Sequence, residues 1–189
     1  MANILIVGVG GQGTLLASRV LGNYAVLTGQ DCKLSEVHGM SQRGGSVVTH
    51  VRVGNNILSP IVAVGDADII IAFEKLEALR WRHYLKKDGM MVVNEQEIMP
   101  MPVITGAVEY PNDIKQKLQE ICKNTLFINA AELAHECGNV KVANVIMLGA
   151  LAKNLGFKYE DIIEAVKMTV PARFLDINLM AIEKGFNAK

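Results

Sequence analysis

Cysteine is scarce in this chain, with three in 189 residues. Cys32, Cys122 and Cys137 are far apart, with no C-x-x-C pair and no Cys/His ligand spacing. That excludes reading a disulfide framework, an iron–sulfur site or a zinc site from spacing, and leaves reduced thiols in a cytoplasmic protein as the expectation. An excess of one charge is also missing: 19 basic and 19 acidic residues leave a net charge of zero, so no field argues for nucleic acid or an anionic membrane as the main partner. No apolar run approaches the ~18 residues of a membrane span, and no basic leader precedes an apolar core at the N-terminus. Aromatic residues make up 5% of the chain while 50% is hydrophobic, which suits an aliphatic α/β core, or one that also buries surface against a partner. Internal repeats, low-complexity tracts and linkers are absent, so residues 1–189 are read as a single domain, which at this size buries roughly 70% of the surface of the unfolded chain.

The chain is organised around its first thirty residues. The apolar run Ile4-Leu5-Ile6-Val7 is followed by Gly8-Val9-Gly10-Gly11-Gln12-Gly13 and then by a segment of helical period. That is how a parallel α/β sheet begins. The pattern predicts a three-layer α/β/α Rossmann-like fold with a mixed, mostly parallel sheet and a helical C-terminal region.

From Thr14 the apolar positions Leu16, Val20, Leu21, Ala25 and Leu27 give one helical face, and Gly29 stops it. Residues 31–36 read as a second strand and residues 37–45, with three glycines and no period, as a loop. Residues 46–53 alternate and are followed by the turn chemistry of Gly54-Asn55-Asn56 and then Ile57-Leu58-Ser59-Pro60, so the region predicts a hairpin or ribbon. Residues 67–73 are a strand covered on both faces. A charged helix over 74–87 ends at Gly89, and 90–94 is another buried strand. Pro100, Pro102 and Pro111 punctuate an irregular crossing before a helix over 113–123 and a short strand over 125–129. Helices over 130–137, 141–155 and 159–169, and one opened by Pro171 and closed near Gly185, complete the chain.

Gly8, Gly10 and Gly13 satisfy G-x-G-x-x-G between a strand and a helix, where main-chain amides and the helix dipole favour an anion. The same glycines also serve a tight turn alone. A dinucleotide site wants a carboxylate about 20 residues further on, at the end of the second strand. Asp31 begins that strand and Glu36 comes late, so an NAD(P)-dependent oxidoreductase is the alternative rather than the first reading. Residues 36–46 are dense in polar groups and backbone freedom. Arg43 is a fork for phosphate or carboxylate, and Gly44 and Gly45 let amides approach the same anion. Glu36 and His38 share a face as an acid–base pair or as the polar network that orders the loop. They are too few to ligate a metal.

Gly8-Val9-Gly10-Gly11-Gln12-Gly13 together with Ser35-Glu36-Val37-His38-Gly39-Met40-Ser41-Gln42-Arg43-Gly44-Gly45 resembles the gamma-type subunit of the 2-oxoacid:ferredoxin oxidoreductases, in the indolepyruvate branch. The resemblance extends to Ser59-Pro60-Ile61, Gly65-Asp66-Ala67-Asp68 and Val93-Asn94. It implies a complex whose larger subunit holds thiamine diphosphate and 4Fe-4S clusters, and which oxidatively decarboxylates an aryl pyruvate to the aryl-acetyl-CoA while reducing ferredoxin. Such a chain is inactive alone and holds no cofactor of its own, and coenzyme A is the phosphate-rich co-substrate that its glycine loops suit. The site residues expected on this reading are Gly10, Gly11, Gln12, Gly13, Ser41, Gln42, Arg43, Gly44 and Gly45 for the ligand, with Glu36 and His38 ordering the loop or lining the cavity. A non-catalytic assembly subunit is the other alternative.

Overall fold

A computed structural model describes residues 1–39, 41 and 44–188. Strands β1 (Ala2–Val9), β2 (Asp31–His38), β3 (Ser46–Gly54), β4 (Ala67–Ala72), β5 (Leu85–Asn94) and β6 (Thr125–Ile128) form one sheet in the order β2-β3-β1-β4-β5-β6. Only β3 runs against the others: it is antiparallel to both β1 and β2, while β1, β4, β5 and β6 pair in parallel. Helices α1 (Thr14–Leu27), α5 (Ala130–Glu136), α6 (Ala143–Asn154), α7 (Tyr159–Thr169) and α8 (Leu175–Phe186) cover one face, and α2 (Lys75–Trp81) and α4 (Ile114–Ile121) cover the other. The period-two alternation of β1 divides the core: Ile4 and Ile6 point to the α1 side, and Leu5 and Val7 to the α2 side. No helix among the described residues is long and apolar enough to cross a membrane.

The predicted layers and the C-terminal helical region are present, and α1 and α7 have the expected ends. Three local expectations are corrected. The hairpin is made by β2 and β3, in an unbroken ladder from Asp31↔Gly54 to His38↔Val47. Because β1 takes the other edge of β3, no edge is left for residues 57–60. Ile57 instead buries its side chain and donates its N–H to the Asp31 carboxylate at 3.4 Å. The same ladder draws Val37 and His38 out of the expected loop and into β2. Lastly, α2 stops at Trp81, and β5 begins at Leu85, so Gly89 lies inside a strand rather than ending a helix. A Cβ on Gly89 would stand 2.7 Å from the Leu85 side chain, at the register shift between the Ala67 and Ile69 pairings. The proline-punctuated crossing holds one short helix, α3 (Met101–Ile104).

Candidate functional site

The carboxyl ends of β1, β4 and β5 converge on the turn at residues 8–13. Gly13 precedes α1 with φ 86°, a left-handed conformation that costs a side-chain-bearing residue about 1–2 kcal/mol. Gly8 answers a different need: a Cβ there would come within 2.8 Å of Gln12 Oε1. Gln12 folds back over the turn, accepting the Val9 N–H at 2.7 Å and donating to Phe73 O at 2.8 Å and to Gln96 Oε1 at 3.0 Å. Its main-chain N–H goes to Val9 O at 3.1 Å. Gln12 thus ties β1 to the ends of β4 and β5, with its donors already engaged. The amides of Gly13, Thr14 and Leu15 meet no acceptor among the described residues, as helix starts leave them, and neither does that of Gly11 in the turn before.

A cleft of about 330 Å³ opens beside these amides, lined by Gly10, Gly11, Gly13, Thr14, Glu36 and His38. Glu36 reaches it from the open edge of the sheet because its neighbour across the ladder, Thr49, and the first residue of α1 both donate to it. Glu36 Oε2 accepts from Thr49 Oγ1 at 2.9 Å and from Thr14 Oγ1 at 3.2 Å. Both threonines are buried, so the carboxylate is fixed although Glu36 itself is exposed. Its other oxygen meets no donor among the described residues. His38 lies two residues further along the same face, with Nδ1 3.1 Å from Gly39 O, and no bond joins it to Glu36.

The second glycine loop meets the first back to back. Gly10 donates to Gly45 O at 2.8 Å, and Gly44 donates to Gly10 O at 3.4 Å. Because β3 alternates, Val47 faces the first cleft while Ser46 faces the α2 side. Ser41, Gly44 and Gly45 accordingly line a different cleft of about 510 Å³ under the segment that carries α3. The expected residues are therefore brought to one corner of the sheet but divided between its two faces. Gln42 and Arg43 lie outside the described residues.

Sequence reasoning missed the buried carboxylates behind this second cleft. Glu74 is 1% exposed and caps α2, accepting from the Glu77 N–H at 2.9 Å, the Ile98 N–H at 3.2 Å and the Tyr110 hydroxyl at 2.5 Å. Burial first, and then this bond to Glu74, push the Tyr110 pKa far up and keep the hydroxyl a donor. The available signal was the acidic pair at N-cap and N3 directly after a buried strand. Cysteine chemistry finds no place here. Cys122 packs on the α2 side and Cys137 on the α1 side, so the sheet separates them, and burial raises the Cys32 thiol to about 11. Among the described residues no three His, Cys, Asp or Glu side chains gather as a metal site.

Residues 3–188 match the family described as pyruvate ferredoxin/flavodoxin oxidoreductase. The chain belongs to this family. It is 41% identical to the indolepyruvate oxidoreductase subunit IorB of Thermococcus kodakarensis, over 98% of this chain and 95% of that one. Its fold matches the gamma subunit of a keto/oxoacid ferredoxin oxidoreductase from Geobacter sulfurreducens, with TM-score 0.73 and 24% identity, covering 98% and 96% of the two chains. A 2-oxoglutarate:ferredoxin oxidoreductase from Magnetococcus marinus, solved with 2-oxoglutarate, coenzyme A and succinyl-CoA, contains the same fold at TM-score 0.72 and 18% identity. This chain spans 98% of its own length there and 30% of the longer one.

Proposed function

We propose that this chain is the smaller subunit of a cytoplasmic 2-oxoacid:ferredoxin oxidoreductase that converts indolepyruvate, or a related aryl pyruvate, to the aryl-acetyl-CoA. The observation that carries the reading is the near full-length likeness to a subunit of an indolepyruvate oxidoreductase. The cysteines on opposite faces of the sheet do not fit a 4Fe-4S cluster, so the clusters are assigned to a larger partner together with thiamine diphosphate, which supplies the decarboxylation chemistry. This chain supplies part of the coenzyme A site. Its phosphates lie at the free amides of Gly11, Gly13 and Thr14, with Arg43 adding a guanidinium from the second loop. Glu36 repels a phosphate at its own end of the cleft and accepts from a ligand hydroxyl, while Ser41, Gly44 and Gly45 support the loop from the far face. Gln12 and Gly10 hold the turn through their own bonds, and His38 lines the cleft.

Co-expression with the larger subunit is expected to give a complex that reduces a low-potential acceptor only with both a 2-oxoacid and coenzyme A. An isolated chain that does so alone overturns the reading. Arg43→Ala is expected to raise the apparent KM for coenzyme A roughly ten-fold, the value of one lost charged contact. An unchanged KM removes Arg43 from the site. One observation favours a second reading: the β2–β3 ladder brings Glu36 to the start of α1, where a dinucleotide ribose would meet it. Micromolar binding of NAD(P) by the purified chain would establish that reading instead.

A further inference from the structure

Glu77 is a buried acidic side chain, 4% exposed, that neither glycine loop displays in its own sequence. It is the third residue of α2, where a glutamate commonly turns back to the N-cap amide. Here it turns across to the sheet. Its Oε2 accepts from the Ser46 hydroxyl and from Trp81 Nε1 at 3.3 Å, and its Oε1 accepts from Arg80 Nε at 3.1 Å. Trp81 Nε1 also lies 3.3 Å from Ser46 Oγ, closing a triangle around the first residue of β3. The start of a helix favours a carboxylate, which eases the burial of this one.

Ser46 directly follows Gly44 and Gly45, whose only described main-chain partner across the corner is Gly10. Ser41 and Gly45 lie close together: a Cβ on Gly45 would stand 2.6 Å from Ser41 O. Glu74, one turn earlier, grips the opposite wall of the same cleft through the Ile98 amide. One turn of α2 therefore holds both walls, and Glu77 holds the glycine-loop wall.

We infer that Glu77 is a positioning residue for coenzyme A use, fixing Gly44 and Gly45 against Gly10 through the Ser46 hydroxyl. This rests on the subunit reading given above. In the assembled complex, Ser46→Ala is expected to raise the apparent KM for coenzyme A roughly ten-fold, as for one lost hydrogen bond to a charged group, and Glu77→Gln, whose amide oxygen still accepts from Ser46 but without the charge, about three-fold, each with kcat within about two-fold. The double variant is expected to raise the KM no further than Ser46→Ala alone, since without the hydroxyl the charge of Glu77 no longer acts on the loop. Ser46→Thr keeps the hydroxyl and is expected to keep the KM. Far-ultraviolet circular dichroism shows whether each variant keeps its fold, and Ser46→Ala, the smaller change, carries the test where Glu77→Gln does not fold. Coenzyme A KM values unchanged in both variants, with only thermal stability lowered, overturn the inference. An unmodified complex that reduces its acceptor without coenzyme A overturns the subunit reading instead, so the two failures are distinct.

Discussion

Gly13→Ala tests whether the turn is built as described. With φ 86° the substitution costs about 1–2 kcal/mol in backbone conformation. The new Cβ would also stand 2.2 Å from Asn144 Nδ2 and 3.1 Å from its Cγ, so the Asn144 side chain must swing out of its packed position, adding about 1 kcal/mol. Restriction of the unfolded chain returns about 0.4–1 kcal/mol. The net loss is about 2 kcal/mol, or roughly 4–8 °C in Tm for a chain of this size. Thermal unfolding followed by circular dichroism reads it directly. The double variant Gly13→Ala/Asn144→Ala is expected to recover the steric share, relative to Asn144→Ala alone, and none of the backbone share. Gly22→Ala in the same helix is the control. Its Cβ would meet only Leu34 Cδ1 at 3.7 Å, so the better helix propensity of alanine is expected to stabilise by about 0.5–1 kcal/mol. Gly13→Ala as stable as the unmodified chain would refute the geometry assigned to the turn.

A second glycine substitution reverses the usual sign: Gly185→Ala in α8 would place a Cβ 1.8 Å from Ile146 O in α6. Either the two helices part or the last turn of α8 frays and frees Phe186 from Tyr159, 5.0 Å away between ring centres; urea unfolding is expected to show a loss of about 2 kcal/mol. His50 sets an acid limit. It is buried, its Nδ1 accepts the Val62 N–H at 3.2 Å, and burial lowers its pKa. Below about pH 6.5 the unfolded chain takes up a proton that the folded chain refuses, so stability is full above that pH and falls as pH drops from there through the lowered folded value. His50→Asn, which keeps an acceptor, is expected to flatten Tm between about pH 6.5 and 5, and an unchanged slope would assign the acid loss to other groups.

Much of the outcome was legible in local pattern. The run Ile4-Leu5-Ile6-Val7, the glycines of the turn and the amphipathic stretch after Thr14 announce strand, turn and helix through interactions that span a few residues, as do the C-terminal helices with their Gly and Pro boundaries. The paired motifs around Gly13 and Glu36 likewise carried the family. Local chemistry also explains the error at residues 57–60: the chain does bend at Asn55 and Asn56, with Asn56 at φ 56°, but whether a strand follows depends on a free edge of β3, and that is settled by β1 and β2 from elsewhere in the chain.

What the amino-acid sequence determined by itself was therefore the layer architecture, the sheet-end turn and the family. The tertiary structure alone decided how the site is assembled. Strand pairing carried Glu36 to the start of α1, and side-chain alternation along β3 sent the two glycine loops to opposite faces. A glutamate 31 residues from Ser46 became its partner. Each depends on register between distant segments, where a shift of one residue would turn every side chain to the other face, and no short stretch of sequence records that choice.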